Sequence, residues 1–137
     1  MRTLGLDIGD RRIGVAISDA EEILASPLAI ITREDDEKTM ADIIKLVDQH
    51  NAERIVVGMP YSLDGSIGPQ ANKVMDFAER LSKHTGASME TWDERLSTVT
   101  VERLLREAGS KKAKRGARQD DAVAAFILQG YLDSLKV

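Results

Sequence analysis

Residues 3–18 read TLGLDIGDRRIGVAIS, and this stretch decides the fold. Two short apolar runs, residues 3–8 and 13–18, flank a polar connection at residues 9–12. Such a short link with glycine and aspartate is typical of a β-hairpin. Its unusual residue is Asp7, because a carboxylate inside an apolar strand is costly to bury unless it is paired or binds a metal ion. A simple turn-capping role is the alternative, and this residue alone does not decide between the two.

Beyond the hairpin, the sequence alternates between apolar runs and amphipathic segments. A third extended segment is predicted at residues 23–32, where Pro27 is easiest to accommodate on an edge strand. Apolar residues at i, i+3, i+4 and i+7 predict four helices, and short apolar runs predict two further strands. The helices are centred on residues 40–47, 74–81, 101–108 and 124–131, and the strands on residues 54–58 and 88–92. Gly86 is expected to end the second of these helices.

This order of elements predicts an α/β fold. Strands joined by short turns should be antiparallel, and strands that are each reached through a helix should be parallel additions. We therefore expect a mixed five-stranded sheet, with three antiparallel strands followed by two parallel ones, flanked by about four helices. A length of 137 residues fits a single domain spanning residues 1–137.

Composition narrows the class of protein. The absence of cysteine excludes disulfides, thiolate-bound zinc and thiol nucleophiles. No signal peptide and no run of about 18 apolar residues is visible, so we expect a cytoplasmic protein without membrane association. The formal net charge of −4 argues against binding nucleic acid by bulk charge alone.

Two further positions join Asp7 as candidate metal-binding carboxylates. Glu94 follows the fifth predicted strand, where a surface acid–arginine pair is the simpler interpretation. Asp120 and Asp121 begin the last helix, where acidic residues suit the helix dipole without any function, and periodicity does not choose between them. A central first strand would bring Asp7 and Glu94 close together, with the last helix across that edge. Three converging carboxylates suit Mg²⁺ or Mn²⁺, and pairs of such ions can promote phosphodiester hydrolysis.

A basic segment at residues 111–118 carries five cations in eight positions. Runs of charge are usually solvated loops. This run leads directly into the helix that begins at Asp120, and cations beside an acidic metal site are what a phosphodiester backbone requires. The predicted nucleic-acid contacts are Lys111, Lys112, Lys114, Arg115 and Arg118.

Several motifs resemble those of the YqgF family, also called RuvX, over nearly the whole chain. They are LGLDIG at 4–9, RIGVA at 12–16, VGMP at 57–60, WDER at 92–95 and ILQGYL at 127–132. The resemblance implies a ribonuclease H-like fold with catalytic carboxylates at Asp7 and Glu94. It also chooses Asp120 over Asp121, because the family's last aspartate stands nine residues before the position of Gln129.

The same resemblance implies a nuclease that depends on Mg²⁺ or Mn²⁺. The favoured role is processing of the 5′ end of pre-16S rRNA in ribosome biogenesis, and the alternative is a Holliday junction resolvase acting on branched DNA. A third hypothesis is a non-catalytic RNA- or protein-binding factor, against which the presence of all three acids argues. A resolvase would need two active sites and hence a homodimer, whereas an rRNA-trimming enzyme would not. The sequence leaves the oligomeric state open, and likewise endonuclease against exonuclease action.

Overall fold

The computed structural model describes residues 1–96 and 120–136, and in the last helix it describes side chains from residue 122 onward. The helix predicted at residues 101–108 and the basic segment at 111–118 lie outside the described residues. In the part that is described, no helix is long and apolar enough to cross a membrane.

The described residues form one five-stranded sheet with helices on both faces. The strands are β1 (Arg2–Ile8), β2 (Arg12–Ser18), β3 (Ala25–Thr32), β4 (Ala52–Met59) and β5 (Ser88–Asp93), the helices are α1 (Asp36–Gln49), α2 (Pro69–Ser82) and α3 (Asp120–Ser134), and a 3₁₀ turn spans Glu94–Leu96. The strand order is β3-β2-β1-β4-β5. The β1–β2 and β2–β3 pairs are antiparallel, and β4 runs parallel to both β1 and β5. The predicted mixed sheet is confirmed, with Pro27 on an edge strand.

Successive residues of β1 point to opposite faces of the sheet, as the pleat of a strand requires. Leu4 and Leu6 are fully buried in the larger core, which β1 shares with α1 and α2. Gly5 lies under α3, where an added Cβ would stand 2.8 Å from the Cβ of Leu128. Asp7 is two residues beyond Gly5, so its side chain also points to the α3 face.

Two predicted boundaries were wrong, and local hydrogen bonds explain both. The third strand begins at Ala25 rather than residue 23, because Oδ1 of Asp19 accepts the backbone N–H groups of Ile23 and Leu24 and holds them in a turn. The second helix ends at Ser82, four residues before the glycine expected to end it. After Ser82, the backbone N–H groups of Lys83 and His84 donate hydrogen bonds to the carbonyls of Arg80 and Leu81, three residues earlier, and these bonds close the end of the helix.

Candidate active site

The carboxyl ends of β1, β4 and β5 meet at one edge of the sheet, because these three strands are parallel. Asp7 is the penultimate residue of β1, and Glu94 is the first residue after β5. The structure therefore brings two of the three predicted carboxylates to the same edge. Both side chains also interact with other groups of the protein.

Gly58 of β4 lies between these two carboxylates. The pair Leu6↔Val57 closes the ladder between β1 and β4, so the next residues, Asp7 and Gly58, lie side by side on strands about 4.8 Å apart. A Cβ added to Gly58 would stand 2.8 Å from Oε1 of Glu94. The Glu94 carboxylate thus occupies space that glycine leaves open, directly beside the strand that carries Asp7.

Glu94 is 4% exposed and is the one charged side chain of the described residues that is buried. Asp7 is half-buried. An ionised carboxylate is costly to remove from water unless hydrogen bonds or a nearby cation compensate. Two such groups on one edge repel each other, and a bound cation relieves that repulsion. The arrangement is therefore chemically suited to a divalent cation with oxygen ligands.

Asp93 and Arg95, the residues on either side of Glu94, form an ion pair. Nη2 of Arg95 lies 2.6 Å from Oδ2 of Asp93, and the backbone N–H and Nε of Arg95 both donate to Oδ1 at 3.0 Å. These hydrogen bonds hold the pKa of Asp93 below its ordinary value and raise the pKa of Arg95. The acid–arginine pair considered as an alternative to a functional Glu94 does exist, but its acid is Asp93. The Glu94 side chain is buried instead.

The loop at residues 60–68 packs against the same arginine. Nη1 of Arg95 donates to the carbonyl of Leu63 at 3.3 Å, and its guanidinium lies 5.7 Å from the centre of the Tyr61 ring. These contacts dock the loop beside the 3₁₀ turn that begins with Glu94.

Asp120, the third predicted carboxylate, is the first residue of α3. The carbonyl of Ala124 lies near Gly5, whereas the ring of Tyr131, further along α3, lies 5.5 Å from the guanidinium of Arg54 at the start of β4. The helix therefore begins towards the edge that carries Asp7 and Glu94. The side chain of Asp120 lies outside the described residues, as do Lys111, Lys112, Lys114, Arg115 and Arg118. Within the described part, no group of three or more His, Cys, Asp or Glu could hold a metal ion, so the three-carboxylate site stays a prediction.

Gly58 is not among the site residues predicted from the sequence. The sequence does contain an indication, because a glycine inside an apolar strand often marks a close approach of another group. Trp92, by contrast, is a packing residue, with its ring edge-on to Tyr131 at 6.3 Å between centroids. Gly58 therefore belongs to the candidate site as the residue that leaves room for the Glu94 carboxylate.

Nearly the whole chain matches a family model. The RuvX model, described as "Holliday junction resolvase", matches residues 1–134. This chain belongs to the RuvX family. The family resemblance carried by the hairpin and the WDER motif is thereby confirmed.

Similar proteins from two bacteria are named "Putative pre-16S rRNA nuclease". The protein of Desulforudis audaxviator is 44% identical over 136 residues, which cover 99% of this chain and 96% of the relative. That of Halothermothrix orenii is 47% identical over 133 residues, which cover 97% and 95%. The similarity thus extends over nearly the full length of each protein.

Solved structures of resolvases share the fold. RuvC of T. thermophilus, in complex with a Holliday junction substrate, superposes with a TM-score of 0.60 at 15% identity, covering 98% of this chain and 96% of RuvC. The fowlpox virus Holliday junction resolvase gives 0.54 at 14% identity, covering 98% and 99%. At these identities the likeness concerns the fold alone, and it confirms the expected ribonuclease H-like architecture.

Proposed function

We propose that this RuvX-family protein is a metal-dependent nuclease that hydrolyses phosphodiester bonds. The observation that carries this proposal is the buried carboxylate of Glu94, which lies over Gly58 beside the strand of Asp7. Asp120, at the start of α3, is the proposed third carboxylate. Mg²⁺ or Mn²⁺ is the proposed cofactor, because carboxylate oxygens are the ligands that these ions prefer.

The chain's own contribution is to place the carboxylates rigidly. Asp7 sits in the central strand β1, which is paired on both sides with β2 and β4. Glu94 is held by the 3₁₀ turn after β5 and is shielded from water. When bound, divalent ions supply an activated water and stabilise the leaving oxygen of a phosphodiester. A preformed, partly dry site strengthens such electrostatic effects.

The proposed substrate is the 5′-extended precursor of 16S rRNA, with a cytoplasmic role in ribosome biogenesis. The names of the two full-length relatives support this choice. The cations at residues 111–118 would neutralise the phosphates of the polymer. The description of the family model favours a second candidate, resolution of Holliday junctions in DNA, and that function would require a homodimer.

The test is cleavage by the purified protein with Mg²⁺ or Mn²⁺, offered a 5′-extended 16S precursor and a synthetic four-way DNA junction. The matched pair of variants is Glu94→Gln and Glu90→Gln, since Glu90 is an exposed glutamate within β5, the strand that Glu94 follows. We expect Glu94→Gln to lose at least about 100-fold in rate, because several kcal/mol of transition-state stabilisation depend on the site. Glu90→Gln should cleave as the wild type does.

The substrate arms separate the two candidate functions. Cleavage of the precursor at its mature 5′ end supports rRNA processing, whereas cleavage of the junction alone supports the resolvase. A wild-type protein that cleaves neither with either metal overturns the nuclease proposal.

A further inference from the structure

The β1–β2 turn, residues 9–11, lies at the candidate active-site edge because it directly follows the strand that carries Asp7. The N–H of Gly9 donates to the carbonyl of Arg12 at 2.9 Å and closes the turn. The side chain of Arg11 at its tip is exposed. The turn therefore projects from the edge at which a polymer would have to approach the carboxylates.

Arg33 holds this turn from the side. Its backbone N–H donates to the carbonyl of Arg11 at 2.8 Å, and its Nη1 donates to the carbonyl of Gly9, also at 2.8 Å. Its Nη2 donates to Asp36 at 3.0 Å, and the guanidinium lies 4.9 Å from the centre of the Phe77 ring. The backbone on both sides of the tip is thus fixed, and the charge of Arg33 is already offset by Asp36.

Arg11 lacks the carboxylate partner that most of the other arginines in the described part of the chain have. Within residues 1–96 and 122–136, no carboxylate forms an ion pair with Arg11. The arginines with carboxylate partners in that part of the chain include Arg33, Arg54, Arg80 and Arg95. The neighbouring Asp10 lies 3.7 Å from Nζ of Lys73, which partly offsets its negative charge. The Arg11 guanidinium is therefore an exposed cation on a turn whose backbone is held by hydrogen bonds.

We propose that Arg11 contacts the phosphodiester backbone of the nucleic acid, in addition to the contacts predicted at residues 111–118. The proposal rests on the nuclease function proposed above. A guanidinium matches two phosphate oxygens at once. Because the turn is already ordered, less conformational entropy is lost when the contact forms.

The test is binding of a labelled single-stranded RNA of mixed sequence, measured by fluorescence anisotropy across a salt series with a chelator present. The matched pair is Arg11→Ala and Arg2→Ala, because Arg2 is also exposed but lies at the opposite end of β1. We expect Arg11→Ala to bind roughly 5- to 10-fold more weakly and to lower the slope of log affinity against log salt by about 0.7, as one lost phosphate contact requires. Arg2→Ala should match the wild type.

A conservative variant separates the charge from the geometry of the contact. Arg11→Lys should keep the wild-type salt slope while binding with intermediate affinity, because lysine retains the charge and loses the two-pronged contact. Wild-type affinity and slope in Arg11→Ala would overturn the proposal, as would an equal loss in Arg2→Ala. Because the chelator prevents metal-dependent cleavage, binding is measured independently of cleavage. Binding that depends on Arg11, in a protein that does not cleave when Mg²⁺ or Mn²⁺ is supplied, would contradict the nuclease function and still support this contact.

Discussion

The two faces of the sheet carry different residues and have different roles. The face under α1 and α2 is lined by large apolar side chains: Leu4, Leu6, Ile8, Ile13, Val15, Ile55 and Val57. The face under α3 carries small residues, including Gly5, Ala16 and Gly58, together with the side chain of Asp7. The alternation of residues along the strands thus places large apolar side chains in the core on one face. On the other face it leaves the space that α3 and a carboxylate require.

Because the two faces differ in this way, we expect substitutions on one face to affect stability and substitutions on the other to affect activity. Truncation on the α1–α2 face should act mainly on the free energy of unfolding. Added bulk on the α3 face should act on the candidate active site. Substitutions on the two faces can therefore test the comparison directly.

The largest effect on stability is expected from Leu6→Ala. Leu6 is fully buried on the α1–α2 face, and such truncations cost about 2–5 kcal/mol because they leave a cavity. Denaturant unfolding measures the loss, and cleavage by the folded fraction should stay near the wild-type rate. A loss below about 1 kcal/mol would break the proposed division between the faces.

Gly58→Ala should affect the α3 face. The new Cβ would stand 2.6 Å from Cδ1 of Ile127 and 2.8 Å from Oε1 of Glu94, so one of these groups must move. We expect a loss of about 1–3 kcal/mol from overpacking and a fall in cleavage rate well beyond it, because Glu94 is displaced. Gly86→Ala is the control, since nothing lies within 4 Å of its added Cβ. Equal cleavage by the two variants would contradict this role for Gly58.

Gly130→Ala should have a smaller effect because two contributions oppose each other. The added Cβ would stand 3.0 Å from Nε1 of Trp92, whereas alanine is favoured over glycine inside a helix by about 1 kcal/mol. We expect a net stability change below about 1 kcal/mol. Since Trp92 is the only tryptophan in the chain, its fluorescence should shift as the indole moves. An unchanged spectrum would show that α3 does not press on this residue.

The smallest effect concerns Asp36, outside both cores. Hydrogen bonds from Arg80 and Arg33 lower the pKa of Asp36 below its ordinary value of 3.8. A lowered folded-state pKa contributes stability above the unfolded value, and that contribution is lost as the pH falls through the folded pKa. The stability of Asp36→Asn should therefore lie below that of the wild type at neutral pH and converge with it in acid. Parallel curves of unfolding free energy against pH would exclude this contribution.

The sequence predicted the hairpin and the mixed five-stranded sheet, because the strand directions follow from the lengths of the connections between the strands. It also predicted that Asp7 and Glu94 lie close together, because the carboxyl ends of parallel strands lie at the same edge of a sheet. It could not decide which acid pairs with Arg95, because the 3₁₀ turn after β5 determines that Glu94 is buried and Asp93 is not. The contact of Arg33 with Gly9 joins residues 24 positions apart, which no local periodicity reveals.

The central claim is that Asp7 helps to form a divalent-cation site at the carboxyl end of β1. Calorimetric titration with Mn²⁺ tests it most directly in the wild type, in Asp7→Asn and in Asp10→Asn, whose carboxylate is exposed on the adjacent turn. We expect Asp10→Asn to bind Mn²⁺ as the wild type does, and Asp7→Asn to lose binding at least about 10-fold while its far-ultraviolet dichroism is unchanged. Mn²⁺ binding by folded Asp7→Asn that equals the wild type would contradict the claim.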